Sequence, residues 1–111
     1  MQWLIFEYET KREDRPITLF IEKLKPKTIS KVSRLIDLLS IYGPKLTMPY
    51  SKKLTSNLYE LRVRGKEQIR ILYAFLNNKI YLLHGFKKKT NKVPNKEIVV
   101  AEQRLKYLTS I

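Results

Sequence analysis

Hydrophobic and polar positions follow two different rhythms along this chain, and the switch between them sketches the fold. Gln2–Tyr8 is rich in aromatic and β-branched residues and predicts a first strand. Asp14-Arg15-Pro16 then opens a helix, with proline suited to a first turn whose N–H has no partner anyway. Ile17, Phe20, Ile21 and Leu24 follow at helical spacing until Pro26 interrupts. A second helix places Ile29, Val32, Ile36 and Leu39 on one stripe, widened by Leu35 and Tyr42, and Gly43-Pro44 ends it. The two make a helical hairpin, apolar on one side and basic on the other (Lys25, Lys27, Lys31, Arg34). Residues 44–57 read as a loop. Beyond it the period becomes two: a strand over Leu58–Val63, a turn at Arg64-Gly65-Lys66 and a strand over Gln68–Leu76. A tight turn at Asn77-Asn78 follows, then a strand over Lys79–Phe86. The loop Lys87–Lys92 leads to a last helix opened by Pro94, with Ile98, Ala101, Leu105 and Leu108 on one stripe. The expected order is β-α-α-β-β-β-α, an α+β domain spanning 1–111 whose three-stranded meander is covered by the helical hairpin.

Composition narrows the chemistry. The chain has 111 residues, 43% of them hydrophobic, which suffices for a core and argues against disorder. It contains no cysteine and one histidine, so disulfide scaffolds, thiolate metal sites, cysteine nucleophiles and multi-histidine metal sites are excluded. No metal or cofactor is expected. No apolar run nears the roughly 20 residues of a membrane span, and the N-terminus lacks the basic region of a signal peptide, so a cytoplasmic protein is expected.

Charge changes the picture most. Twenty-three Lys and Arg against ten Asp and Glu leave a net +13. The excess is uneven: residues 1–24 are slightly acidic, whereas 25–57 and 58–111 carry seven basic against one acidic and twelve against four. Such a surface attracts polyanions, nucleic acid foremost. Within the meander, Tyr59, Leu61 and Val63 alternate with Glu60 and Arg62, and Arg70 alternates with the apolar set Ile69, Ile71, Tyr73 and Phe75. Positions 62 and 70 therefore share a sheet face, beside Glu60 and opposite the helical hairpin. Guanidinium groups pair bidentately with phosphate and stay charged. Lys52-Lys53 enters this sheet and Lys87–Lys92 leaves it, so three basic clusters are expected to converge on one edge. His84 alternates with Ile80, Leu82 and Phe86 and reads as a packed, hydrogen-bonded core histidine. Tyr73 and Trp3 read as packing residues.

The ordered set Leu58-Tyr59-Glu60-Leu61-Arg62, Arg70-Ile71-Leu72-Tyr73, Leu83-His84-Gly85-Phe86-Lys87-Lys88, Pro94 and Glu97 resembles the RelE/ParE toxin superfamily. Within it the pattern is closer to the phage-derived HigB-like branch. The likeness is dense from Lys53 to Tyr107 and looser through the helical hairpin. It implies a RelE-like fold, two N-terminal helices packed on a small antiparallel sheet with a C-terminal helix. It also implies the toxin of a type II toxin–antitoxin pair, an endoribonuclease that cleaves mRNA on the ribosome without metal. A helix-turn-helix, HigA-like antitoxin would neutralise it and be its only route to operator DNA. On this resemblance Arg62, Arg70, Lys87 and Lys88 are the catalytic candidates. Lys52, Lys53, Arg64, Lys89 and Lys92 would hold RNA or ribosome, with Glu60 and Tyr73 as possible supports. Some relatives use a tyrosine or histidine near the C-terminal helix; here Tyr107 lies late in that helix and no histidine follows His84, so the general acid has no candidate. Two alternatives stay open: a ParE-like inhibitor of DNA gyrase, and a non-catalytic nucleic-acid-binding module.

Overall fold

The computed structural model describes residues 2–110. Its elements in chain order are β1 (Ile5–Glu7), α1 (Pro16–Glu22), α2 (Pro26–Tyr42), a short 3₁₀ turn (Gly43–Lys45), β2 (Ser51–Lys53), β3 (Tyr59–Val63), β4 (Ile69–Leu76), β5 (Lys79–Lys87) and α3 (Asn95–Thr109). Both N-terminal helices start on proline in their first turn, so Pro26 closes off α1 and begins α2. Gly43 at the end of α2 has φ 51°, and its missing Cβ leaves room for the indole of Trp3. Asn77 and Asn78 have φ 52° and 64°, the paired left-handed conformation of a type I′ hairpin turn.

The sheet has five strands where the sequence predicts four, in the order β1-β5-β4-β3-β2, with β1 parallel to β5 and the other pairs antiparallel. The expected first strand shrinks to Ile5–Glu7. Strand β2 lies inside the stretch read as a loop; three residues, Ser-Lys-Lys, are too few to show a period, and lysines suit an edge.

The sheet separates two cores. On one side α1 and α2 pack Ile17, Val32, Leu35 and Leu39 against Leu61, Val63, Ile69, Ile71, Tyr73, Ile80 and Leu82. On the other, Ala101 of α3 meets Leu58, Leu72, Ala74, Leu83 and Phe86. Central strand β4 is therefore buried continuously from Ile69 to Ala74. An irregularity in the β4–β5 ladder, between Leu72 and Tyr73, lets Leu72 pair with His84 and Tyr73 with Leu82. The extra residue on β5, Leu83, reverses its side-chain alternation. Ile80 and Leu82 face the helical hairpin, whereas His84 and Phe86 face α3. His84 is thus not aligned with Ile80 and Leu82. It is half-buried at the α3 interface, its Nε2 2.9 Å from Glu97 Oε1.

Candidate active site

Direct pairing of Arg62 with Arg70 across β3 and β4 sets the site. Since opposed residues share a face, the α3 side carries two cross-strand rows: Lys52, Glu60, Leu72 and His84 in one, Arg62, Arg70 and Phe86 in the next. Helix α3 covers the Leu72–Leu83 part of this face. At the arginine end the Lys88 amide donates to the Gln68 carbonyl at 2.7 Å, carrying the β4–β5 ladder one step further, and the loop that follows brings Lys89, Thr90 and Asn91 to the same cleft. The pair lines a cleft of about 410 Å³ together with Gln68, Lys88, Lys89, Thr90 and Asn91.

Burial makes this arrangement energetically unusual. Glu60 and Arg70 are each only 3% exposed. Glu60 Oε1 lies 3.6 Å from Arg62 Nε and 4.0 Å from Arg70 Nε, close enough to balance charge yet too far for hydrogen bonds. One further contact steadies each arginine: Arg70 Nη1 donates to the Ile69 carbonyl at 3.0 Å, and Arg62 Nη1 lies 2.9 Å from Met48 Sδ. Among the described residues Glu60 Oε2, Arg62 Nε and Arg70 Nε have no hydrogen-bond partner. Buried polar groups are nearly always satisfied, so three unpartnered atoms around one carboxylate make this an energetically costly cluster, with the carboxylate set between the two guanidiniums. Burial holds the Arg70 guanidinium below its ordinary pKa; Glu60 offsets part of this, and Arg62 and Arg64 add to it. The Lys88 ammonium is also held below the usual lysine range, first by burial and then by Arg70, with Glu60 opposing and Arg62 and Lys52 contributing.

The structure divides the sequence candidates. Arg62, Arg70, Lys88 and Glu60 come together, with Lys89 on the cleft wall and Lys52 in the adjoining row. Lys87 does not join them. It pairs with Ile69 on the helical-hairpin side, and its Nζ lies 3.0 Å from Glu67 Oε2. The other oxygen of Glu67 accepts from Thr28 Oγ1 at 2.6 Å; that bond and Lys87 hold this carboxyl below its ordinary pKa, so Lys87 ties the sheet to α2. Lys53 also faces the other way, 5.9 Å above the Tyr59 ring. Adjacent residues on a strand point to opposite faces, which splits both lysine pairs. Tyr73 is on the hairpin side, buried and hydrogen-bonded to Ser51, and burial raises its hydroxyl to about 12. It supports the core rather than the cleft. Lys92 is exposed beyond the cleft lining, and Arg64 borders a separate groove along α2. Tyr107 stacks edge-on against Tyr8, away from the arginines. Sequence reasoning missed Gln68, Thr90 and Asn91 in the cleft wall. Gln68 has the parity of Arg70, a usable signal; Thr90 reaches the cleft only because the loop folds back.

Comparison with known proteins adds the class. Residues 19–106 match the family described as phage-derived protein Gp49-like (DUF891). This chain belongs to the Gp49-like family. That is a family of RelE/HigB-type toxins, and the match covers the arginine pair, the loop after β5 and most of all three helices. Among solved structures, the YoeB–YefM complex from Staphylococcus aureus aligns with a TM-score of 0.54 and 16% identity, covering 81% of this chain and 100% of that one. At that identity the likeness is one of fold: this Gp49-like toxin has the RelE-like architecture. No curated protein matches the chain.

Proposed function

We propose that this Gp49-like toxin is an endoribonuclease that cuts mRNA on the ribosome by attack of a ribose 2′-hydroxyl on the adjacent phosphorus. The observation that carries the reading is that the directly paired Arg62 and Arg70 guanidiniums line one cleft with Lys88, whose ammonium is held below the usual lysine range by burial and by Arg70. Cleavage needs stabilisation of the developing phosphorane and a group to take the 2′-hydroxyl proton. Arg70 and Arg62 supply the charge and the donors. Lys88, deprotonated more readily than an ordinary lysine, accepts the 2′-hydroxyl proton. The 2′-oxygen–phosphorus bond forms as the bond to the 5′-oxygen breaks, leaving a 2′,3′-cyclic phosphate and a 5′-hydroxyl protonated from the open mouth of the cleft. Glu60 reaches both arginines and serves as their counter-charge rather than as the base.

An antitoxin partner follows from the family, and we infer a helix-turn-helix protein that neutralises the toxin and alone contacts operator DNA. Cytoplasmic ribosomes are the expected site of action. Among the described residues no helix is long and apolar enough to cross a membrane. The test is to map transcript ends after induction of the wild type and of Arg70→Ala. New ends within translated regions, absent from the variant, are expected. Growth arrest with intact transcripts would overturn the reading, and arrest with DNA breaks would replace it with the gyrase alternative.

A further inference from the structure

The two edges of the sheet are built differently. Strand β2 closes one edge with Ser51-Lys52-Lys53, whose lysines discourage pairing with another chain. Strand β1 closes the other with Ile5-Phe6-Glu7 and carries neither lysine nor proline. Its backbone is only half used. The Leu4 carbonyl accepts from the Ile80 amide at 2.9 Å and the Tyr8 amide donates to the Leu82 carbonyl at 2.8 Å, so the even-numbered residues bond toward β5. The amides and carbonyls of Ile5 and Glu7 therefore point to the open edge. Apolar side chains flank it. Phe6 pairs with Tyr81, and Tyr81 with Ala74, which puts Phe6 on the α3 face with its ring stacked on Tyr81 at 5.5 Å. Phe6 nevertheless stays 43% exposed, and Leu4, on the same face by parity, 61%.

Charge selects the occupant. The chain as a whole carries +13, yet residues 1–15, which hold β1 and the loop after it, carry four acidic and three basic side chains. Lys79, its Nζ 5.6 Å from the centre of the Phe6 ring, brings the local balance level. Glu7, Glu9 and Arg15 line a notch beside β1 with Ile5 and Phe6, and Arg15 lies 3.8 Å from Glu9. A nucleic acid or an acidic peptide finds no cationic surplus here, whereas two copies of the chain meet without the repulsion that their basic faces impose. We propose that β1 pairs antiparallel with β1 of a second copy, across a two-fold axis at Phe6. Ile5 then faces Glu7 of the other copy, and each such pair exchanges two backbone bonds. The two Phe6 residues form the closer pair between them, joining the Tyr81 stacks of both copies on one face. Strand β1 lies two places from β4 and three from β3, so the pairing leaves both arginine clefts free. The assembly stands independently of the endoribonuclease reading.

The test uses the purified full chain. Sedimentation velocity from micromolar to near-millimolar concentration should show the mass rising from one chain toward two. The rise should be steeper at high salt, because two chains of +13 repel and salt screens them. Phe6→Lys, which sets a charge on the axis, should hold the mass at one chain. Single cysteines then read the register, since the chain has none of its own. Across the axis the Cα atoms of the two residues 6 stand about 4.5 Å apart, inside the roughly 4.4–6.8 Å span of a disulfide. Those of the two residues 4 stand about 14 Å apart. Phe6→Cys should therefore cross-link into dimers under mild oxidation, and Leu4→Cys should not. A wild type that stays one chain at every concentration would overturn the pairing, as would equal cross-linking of the two variants. A monomeric wild type whose Ile5 and Glu7 amides gain hydrogen-exchange protection only with the antitoxin bound would overturn it in favour of that partner.

Discussion

Replacing Glu60 with glutamine removes the one negative charge between two buried cations and leaves the side-chain shape nearly unchanged. A unit charge 4 Å from another interacts by about 4 kcal/mol at the effective dielectric suited to such sites. Glu60 faces Arg62 at 3.6 Å and Arg70 at 4.0 Å, so its gross attraction is roughly twice that figure. Much is offset by desolvation of the carboxylate and by repulsion between the arginines. Breaking a buried pair by removing one partner costs about 3–5 kcal/mol. Arg62 is partly solvated while Arg70 is not, which places the expected loss near the lower end, about 3 kcal/mol. At about 4–8 °C per kcal/mol for a domain near this size, Glu60→Gln should melt roughly 12–24 °C below the wild type. The same geometry gives the variant a signature beyond lost stability. With the carboxylate gone, inorganic phosphate should raise its melting temperature more than that of the wild type, because the anion takes the vacated role between the guanidiniums. Thermal melts of both proteins with and without phosphate check both points. An unchanged melting temperature would show that Glu60 does not balance the arginines, and equal stabilisation by phosphate would show that they do not face the anion-binding space.

Other expectations separate residues that lie side by side in sequence. Arg70→Ala and Lys88→Met should each lower the rate of mRNA cleavage in a translation extract by about 10²–10³-fold, whereas Lys87→Met should cost less than about 3-fold in rate. The wild-type rate should rise with pH through a Lys88 pKa below the usual lysine range, and that limb should vanish in Lys88→Met. Tyr73→Phe should cost about 1–3 kcal/mol near neutral pH by leaving the buried Ser51 hydroxyl without its partner. Separately, burial raises proton loss from the Tyr73 hydroxyl from near 10 in the unfolded chain to about 12 in the folded one, so the stability tied to keeping this hydroxyl neutral is full below pH 10 and fades toward pH 12. Urea titrations across that interval should show the decline in the wild type and not in Tyr73→Phe. Gly85→Ala should destabilise by about 1–3 kcal/mol, since a Cβ there would stand 2.6 Å from Phe20 Cδ2 and push α1 off the sheet; urea denaturation measures it.

Local regularity determined what could be read from sequence. Prolines 16 and 26, the Asn77-Asn78 turn and the period of two between residues 58 and 76 located most elements to within a residue or two, and parity alone put Arg62 and Arg70 on one face. Two apolar residues in the Arg70 row of positions, Leu72 and Ala74, already signal that something covers the second face; the structure identifies it as α3. The reversal of β5 was not legible. One extra residue at Leu83 flips every later side chain, and nothing in its identity marks it as the odd one. Splitting Lys87 from Lys88 and Lys52 from Lys53 needed only the period of two, but runs of like residues tempt a reader to treat them as one patch. Burial of Glu60 and Arg70 could not be seen, because it depends on how the neighbouring strands and loops pack around that end of the sheet rather than on the local pattern of residues.

The central claim is that Arg62, Arg70 and Lys88 promote attack by a 2′-hydroxyl, and the chemistry of the cut ends tests it most directly. Transcripts from induced cells can be sorted by whether their new 3′ ends carry a 2′,3′-cyclic phosphate. The wild type should produce such ends paired with 5′-hydroxyl fragments, and Arg70→Ala should produce almost none. New ends bearing a 3′-hydroxyl and a 5′-phosphate, or cyclic ends undiminished by Arg70→Ala, would contradict it.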